Sequence, residues 1–333
     1  GSSVLTSIYK ATIPYDWNKG NKSGVMKTSN GIYTNGVFGM TKFLLNLINN
    51  FSDGYIAVMW DVNRNTFRRK IYEEYKGNRS KTDEELVIQF ELMKEVIDCL
   101  GIKQFELEGF EADDLIGSVA NSLETNNTDI CINILSYDRD LLQLLTENVR
   151  VWLHTAEAKY SDFMSELINL DYLKGTGIIN EKEIYNTLNN YIEYTHMTFE
   201  DEYGIKPKRF ADYKGFVGDK SDNIPGVAQV GEKTALPLLK EFDNLDGVYE
   251  YFENNSDKEI KVLCKELGIR GVPTDKLING KEAAYMSRDL AEIDTFVPEM
   301  KNINKEDFLY KIDSIKLMGK FKQLEFNSLI KNS

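Results

Sequence analysis

Short apolar runs alternate with helix-like segments through the first 154 residues, and this alternation constrains the fold more than any other feature of the sequence. The runs typical of buried strands are 55–62, 103–109, 131–138 and 149–154. Apolar residues recur at helical spacing in 36–50, in 82–100 and from Glu111 to about Leu123. Strands that alternate with helices predict an α/β fold with a mainly parallel central sheet flanked by helices.

The pattern changes after residue 154. Residues 155–198 are rich in Asn, Glu, Tyr and Ile, and we expect them to be mostly helical. From Phe210 onward helical segments dominate, and the Gly-rich turn GDKSDNIPGVAQVGEK lies between two of them. We therefore predict an α/β region over 1–154, an atypical insertion over 155–198 and a C-terminal helical region over 199–333.

The composition excludes several classes of protein. The chain of 333 residues is 42% hydrophobic, which is typical of globular proteins. No apolar run approaches the ~20 residues that a membrane-spanning helix needs, so we expect no membrane association. Three distant cysteines suit free thiols in a reducing cytoplasm, and two histidines leave little room for histidine-rich zinc chemistry. The net charge of −13 argues against a non-specific polyanion binder but allows a locally basic surface.

Carboxylates follow the predicted strands at one edge of the sheet. Asp61 and Asp138 lie at strand ends, and Glu111 follows the strand at 103–109. Because active sites in parallel sheets gather at the carboxyl ends of the strands, we expect these acids to lie close together. Like charges repel one another unless cations neutralise them, so the cluster predicts bound metal. Carboxylate ligands suit Mg²⁺ or Mn²⁺.

The candidate metal ligands come from the motifs WDVN, EGFEADDLIG, LSYDRDLLQL and GDKSDNIPG. Their acidic residues are Asp61, Glu111, Asp113, Asp114, Asp138, Asp140, Asp219 and Asp222. Each motif alone has a simpler interpretation, because acids in the first turn of a solvated helix also suit the helix dipole. Their combination favours a metal site in which two ions, roughly 4 Å apart, hydrolyse a phosphodiester.

A basic segment follows Asp61. Residues 64–81 contain seven Lys and Arg against two Glu, with Phe and Tyr between them. Such a mixture suits a nucleic-acid backbone with stacked bases, although a solvated helix face is the simpler alternative. Gly226 and Gly231 flank a turn that leads into a helix, where backbone N–H groups can bind phosphate, although such a pattern is often only a turn. Pro237 would remove one hydrogen bond from that helix.

Together, these motifs resemble the 5′ nuclease, or flap endonuclease, family, which includes the 5′ nuclease domain of bacterial DNA polymerase I and stand-alone phage and bacterial 5′–3′ exonucleases. The residues that carry the resemblance are TFRRKIYEEYKGNR at 66–79, EGFEADDLIG at 108–117, DRDLLQL at 138–144, YGIKP through GDKSDNIPGVAQVGEKTA at 203–235 and a weaker TNGVFGM at 34–40. The resemblance covers most of the chain except about 155–198.

The resemblance implies a role for each candidate residue. The first metal ion would be held mainly by Asp61, Glu111, Asp113 and Asp114. The site and its second ion would be completed by Asp138, Asp140, Asp219 and Asp222. Lys76 and Arg79 would polarise the scissile phosphate, and Tyr75 would stack on a base near the cut. Further DNA contacts are expected from Arg68, Arg69, Gly226, Gly231 and Lys233.

The resemblance also implies an architecture. We expect a PIN-like catalytic region with a helical arch at about 64–100, through or under which a 5′ single strand passes. The 219–242 region would form a helix–three-turn–helix that grips duplex phosphates and often holds K⁺. The expected partners are DNA with 5′ flaps, 5′ ends or nicks, and RNA primers paired with DNA. We expect two Mg²⁺ or Mn²⁺ ions and a monomer in the cytoplasm of a bacterium or a phage-infected host.

The sequence departs from the family pattern at several places, including its first residues. The family's first strand normally ends in Asp followed by Gly and a small polar residue, so the pattern places an Asp before Gly1. Tyr137 stands where Gly is usual, and 155–198 is longer than the usual connection. The leading hypothesis is a structure-specific 5′–3′ exonuclease and flap endonuclease. A catalytically weak DNA-binding protein and a PIN-type ribonuclease are the alternatives.

Overall fold

The computed structural model describes residues 1–50, 54–127, 129–155, 190–270 and 274–330. Its α-helices are α1 Ser2–Ala11, α2 Asn35–Asn50, α3 Phe67–Ile71, α4 Glu84–Leu100, α5 Ala112–Asn126, α6 His196–Tyr203, α7 Phe210–Val217, α8 Glu232–Phe242, α9 Leu245–Asn254, α10 Asp257–Glu266, α11 Thr274–Asn279, α12 Lys281–Ala291, α13 Ser314–Gln323 and α14 Asn327–Ile330. Its strands are β1 Ala57–Met59, β2 Lys103–Phe105, β3 Ile132–Ser136, β4 Val149–His154 and β5 Tyr191–Tyr194. A 3₁₀ turn, Arg139–Leu144, follows β3.

The described strands form two small sheets. In one, β1 pairs in parallel with β2; in the other, β3 pairs in parallel with β4. Strand β5 runs antiparallel to β4, with His154 opposite Tyr191. Beyond that pair, the Thr155 amide donates to the Asn190 carbonyl at 2.7 Å. Within each parallel pair, both strands therefore present their carboxyl ends, and the residues that follow them, at the same edge.

Hydrophobic cores join the sheets to the helices. One core, which includes Leu5 and Met93, packs α1, α2, α4 and α13 together. A second core, which includes Val151, Phe216 and Leu238, joins β3 and β4 to α7, α8 and α9. A third packs α5 against the 297–308 segment. These cores bring α5 and the C-terminal helices close together, so side chains from both halves of the chain can meet near β3.

The expected α/β architecture with parallel strand pairs is confirmed. The expectation that 155–198 is mostly helical is wrong for Tyr191–Tyr194, because this run pairs with β4 and buries both of its terminal tyrosines. Residues 156–189 lie outside the described part of the chain, and the proposed domain boundaries remain predictions. Pro237 lies inside α8, as expected. No helix within the described ranges is long and apolar enough to cross a membrane.

Candidate active site

Three acidic segments meet at the N-terminus of α5. Asp61 follows β1, and its Oδ1 accepts a hydrogen bond at 2.9 Å from the amide of Ala112, the first residue of α5. Glu111 is the N-cap of that helix. Asp138 follows β3 and caps the 3₁₀ turn, where it accepts a hydrogen bond from the Asp140 amide at 2.9 Å. The strand ends thus deliver carboxylates to one place, as the sequence predicts.

Asp113 lies among these carboxylates. Burial raises the pKa of Asp113 well above its ordinary value, and the negative charges of Asp138, Asp61 and Glu111 add to this effect. Within the described part of the chain, no salt bridge reaches Asp61, Asp113 or Asp138. We call these three residues the open cluster, because their negative charge faces no direct cationic partner there.

Two basic side chains converge on Glu111 and Asp222. The Lys76 ammonium lies 2.7 Å from Glu111 Oε2 and 3.4 Å from Asp222 Oδ2. Arg79 forms an ion pair with the other oxygen of Asp222, Oδ1. Burial acts to lower the pKa of Lys76, but the Glu111 and Asp222 carboxylates outweigh it and raise this pKa well above its ordinary value. Lys76 therefore remains a cation at the edge of the open cluster.

Tyr75 has a different environment from the one expected for base stacking. Its ring is only 4% exposed, and the Lys76 ammonium lies 5.1 Å from the ring centroid. The hydroxyl group lies 3.2 Å from Glu111 Oε2 and 3.3 Å from Asp222 Oδ2, close enough to donate to either. In this structure Tyr75 supports the two carboxylates that hold Lys76, and the expected stacking role stays a prediction.

Lys214 is a residue that the sequence reasoning missed. It lies on α7, and its ammonium forms ion pairs with Asp140 and, at 2.6 Å, with Asp219 Oδ2. Burial and the charge of Asp138 raise the pKa of Asp140, although Lys214 opposes this. At Asp219 burial is outweighed by Lys214 and Ser221, which lower the pKa to about 2. The available signal was a lysine one turn before the GD motif, on a helix whose other residues are mostly apolar.

Asp114 is buried, and the protein itself neutralises it. Its two oxygens accept hydrogen bonds at 2.8 and 2.7 Å from the guanidinium of Arg68. They also accept from the amides of Glu111 and Asp294, both at 2.9 Å. Asp114 is 0% and Arg68 is 2% exposed. Both side chains are fully engaged inside the protein in this structure, so the expected roles of Asp114 as a metal ligand and Arg68 as a DNA contact find no support here and stay predictions.

The expected phosphate-binding turn is only partly available. The Gly226 amide donates to Ser287 Oγ at 3.0 Å, and a side chain at Gly226 would collide with the backbone at Gly218. The amide is already bonded and the backbone is closely packed, so the expected DNA contact by Gly226 finds no support here and stays a prediction. Gly231 is the N-cap of α8, and both it and Lys233 are exposed. Arg69 is also exposed, so a DNA contact by these three residues remains a prediction.

The donor chemistry of the site fits a divalent ion. In the described residues, no group of three or more Asp, Glu, His or Cys side chains already stands in an arrangement that could hold one. Two lysines instead neutralise four of the expected ligands. The open cluster offers only oxygen donors, which suit Mg²⁺ or Mn²⁺, and burial together with the neighbouring carboxylates raises the pKa of Asp113. Ion binding would therefore require these side chains to rearrange.

Comparison with known proteins decides the family. Residues 4–170 match the model of the 5′–3′ exonuclease N-terminal resolvase-like domain, and residues 205–316 match that of the 5′–3′ exonuclease C-terminal SAM fold. The chain belongs to the 5′–3′ exonuclease family. This membership confirms the family that the sequence motifs predict.

Individual relatives agree with this assignment. A 5′–3′ exonuclease of Bacillus subtilis is 37% identical over 82% of this chain and 76% of its own length. DNA polymerase I of Streptococcus pneumoniae is 34% identical over 89% of this chain, but the match spans only 28% of that polymerase. The fold resembles that of the phage T5 5′-exonuclease, solved with bound zinc, with a TM-score of 0.57, 18% identity and coverage of 98% of this chain and 96% of the other.

Proposed function

We propose that this chain is a structure-specific 5′–3′ exonuclease and flap endonuclease that hydrolyses DNA phosphodiesters by a two-metal mechanism. The observation that carries the proposal is the juxtaposition of Lys76 and Arg79 with acids from both halves of the chain. A site with both a carboxylate cluster and fixed cations suits a phosphodiester, because the acids can hold metal while the cations face the phosphate.

The ion pairs suggest how metal and substrate binding are coupled. Lys76 and Arg79 can neutralise a scissile phosphate only when their ion pairs with Glu111 and Asp222 are broken. Bound divalent ions would neutralise these carboxylates, activate the attacking water and stabilise the leaving oxygen. Lys76 would then hold a protonated amine against the phosphate oxygens, whose negative charge would replace that of the two carboxylates.

The remaining site residues divide between the two metal ions. Asp61, Glu111 and Asp113 serve mainly the first ion in this proposal, since all three lie at the start of α5. The second ion would be served by Asp138, Asp140, Asp219 and Asp222.

The finer assignments follow from the same proposal. The ions would be Mg²⁺ or Mn²⁺, and the exposed N-terminus of α8, with Gly231 and Lys233, would contact duplex phosphates, with K⁺ as a further ion. The substrates would be 5′ flaps, 5′ ends and nicks, and RNA primers paired with DNA in replication. The protein would act as a monomer in the cytoplasm of a bacterium or a phage-infected host.

A cleavage assay with a labelled 5′-flap duplex tests the proposal. We expect cleavage near the junction with Mg²⁺ or Mn²⁺, a 5′-phosphate on the product and no reaction with EDTA. Binding without cleavage would favour the DNA-binding alternative, in which the protein only grips the flap. Efficient cutting of single-stranded RNA, with indifference to duplex DNA, would favour a PIN-type ribonuclease.

A further inference from the structure

The segment from Glu74 to Ser80 carries both catalytic cations of the proposed nuclease, and its backbone is held in an uncommon conformation. Lys76 has φ of +54°, in the left-handed region that side chains other than glycine rarely adopt. Such a residue persists only where its surroundings fix it. The groups that fix this segment therefore also decide where the Lys76 and Arg79 side chains point.

The turn at residues 219–223 supplies the first set of these groups. The Lys76 amide donates to the Asp222 carbonyl at 2.8 Å. On one side of this bond, the Asn223 side-chain amide donates to the Glu74 carbonyl at 2.7 Å. On the other side, the Asn78 side-chain amide donates to the Lys220 carbonyl, also at 2.7 Å. Three hydrogen bonds thus join two segments that lie far apart in the sequence.

Arg64 fixes the end of the same segment. Its two terminal nitrogens donate to the carbonyls of Arg79, at 3.1 Å, and Ser80, at 2.5 Å. Arg64 lies on the connection that follows β1 and Asp61. The backbone that carries Arg79 is therefore tied to the same strand end that delivers Asp61 to the open cluster.

We propose that Arg64, Asn78 and Asn223 are positioning residues for this reaction: they fix the Glu74–Ser80 backbone so that Lys76 and Arg79 reach the carboxylates. The inference rests on the proposed function. Within the described residues, none of the three side chains donates a hydrogen bond to a carboxylate of the expected metal ligands; each donates to backbone carbonyls instead. Exposed polar contacts of this kind add little to overall stability but can set the geometry of a site.

The test uses variants that each remove one donor. These are Arg64→Ala, Asn78→Ala and Asn223→Gly; glycine is chosen at the last position because Asn223 has φ of +57° and alanine there would add backbone strain. The matched control is Asn121→Ala. The Asn121 side chain also donates to a distant carbonyl, that of Thr295 at 3.1 Å, but it lies on α5 away from this segment.

Kinetics separate positioning from general stability. We expect each variant to lower the single-turnover rate on a 5′-flap duplex about tenfold or more, since small misplacements of catalytic groups have large effects. The dissociation constant for the same duplex and the melting temperature should stay close to those of the control. Arg64→Lys should recover part of the rate, because an ammonium can still reach one carbonyl. Rates equal to the control in all three variants would overturn the proposal.

Amide hydrogen exchange provides a readout that does not depend on cleavage. In the free protein, we expect the Lys76 amide to exchange at least about tenfold faster in Asn78→Ala and Asn223→Gly than in the wild type and the control. Unchanged protection would contradict the proposal. A wild-type protein that never cuts flaps would instead contradict the proposed function, and hydrogen exchange would still decide whether these residues hold the segment.

Discussion

The carboxylates at the start of α5 fall into two groups, one that the protein itself neutralises and one that it does not. Asp114 faces inward, where Arg68 and two backbone amides satisfy both of its oxygens. Its neighbour Asp113 faces the open cluster, and burial together with the surrounding negative charges raises its pKa. The two residues are adjacent in the sequence. Asp114 forms an ion pair with Arg68 that needs no further partner, which we call the closed pair, whereas Asp113 belongs to the open cluster, which needs an added cation.

The difference shows how one acidic motif can serve both stability and chemistry. The closed pair ties α3 to α5, and Arg68 also donates to the carbonyls of Leu290 and Glu292 near the end of α12. The closed pair therefore fixes α5, the helix that carries Asp113. The open cluster stays available for metal because the protein does not neutralise it. Substitutions in the two groups should therefore have separate consequences for activity and stability.

The largest effect is expected from the open cluster. Asp138→Ala and Asp113→Asn should each lower flap cleavage about a thousandfold or more, because a lost metal ligand removes several kcal/mol of transition-state stabilisation. DNA binding should change little, and neither variant should lower the melting temperature. Single-turnover rates, with a binding assay in Ca²⁺, measure both. Near-wild-type cleavage by Asp138→Ala would remove Asp138 from the metal site.

Lys76→Ala extends the comparison to the cation beside the open cluster. We expect the chemical step to slow about a hundredfold, as happens when one preorganised electrostatic group is removed. Affinity for the flap should fall much less, since the ammonium is turned toward Glu111 and Asp222 rather than toward solvent. The measurement is the single-turnover rate at saturating enzyme. An unchanged rate would contradict the role proposed for Lys76.

The closed pair should respond through stability. Asp114→Ala leaves the Arg68 charge buried without its partner, which costs about 3–5 kcal/mol of unfolding free energy. The double variant Arg68→Met, Asp114→Leu should recover only part of this loss, because it removes the unpaired charge but leaves backbone groups that the pair had bonded without these partners. Urea unfolding measures both variants. If Asp114→Ala unfolds like the wild type but loses metal binding, Asp114 belongs to the metal site after all.

Asp212 is an intermediate case, a buried acid whose nearest cations lie farther away than the Arg68 guanidinium lies from Asp114. Arg209 and Arg288 lie 3.8 and 4.0 Å away, and burial raises the pKa of Asp212 to about 6. Since the folded state holds this proton more tightly than the unfolded chain, the contribution of Asp212 to stability should fall as the pH rises from about 4 to 6 and stay constant above 7.

Asp212→Asn tests this pH dependence. The variant should be more stable than the wild type at pH 8 by roughly 2–3 kcal/mol, and the difference should disappear near pH 4. An Asn side chain keeps an oxygen that can accept the hydrogen bond of the Leu245 amide, which measures 3.3 Å here. Unfolding free energies at several pH values measure the effect. An equal difference at pH 4 and pH 8 would show that burial of the charge is not its cause.

The sequence predicts some of these features and not others, for physical reasons. Asp61 and Asp138 could be found because parallel strands place their carboxyl ends at one edge. The different fates of Asp113 and Asp114 could not be read from EADD, because Arg68 lies far away in the sequence. Lys214 escaped notice because an isolated lysine on a helix usually points to solvent. Local patterns thus locate the acids, and tertiary contacts decide how each is neutralised.

The pairing of β4 with β5 has a practical consequence for protein engineering. Antiparallel register places His154 opposite Tyr191, and the hydrogen bond between Thr155 and Asn190 extends that ladder at 2.7 Å. Two chain ends that close together can be joined by a tight turn of a few residues. This point is therefore a natural site at which the connection between β4 and β5 could be shortened while their pairing is kept.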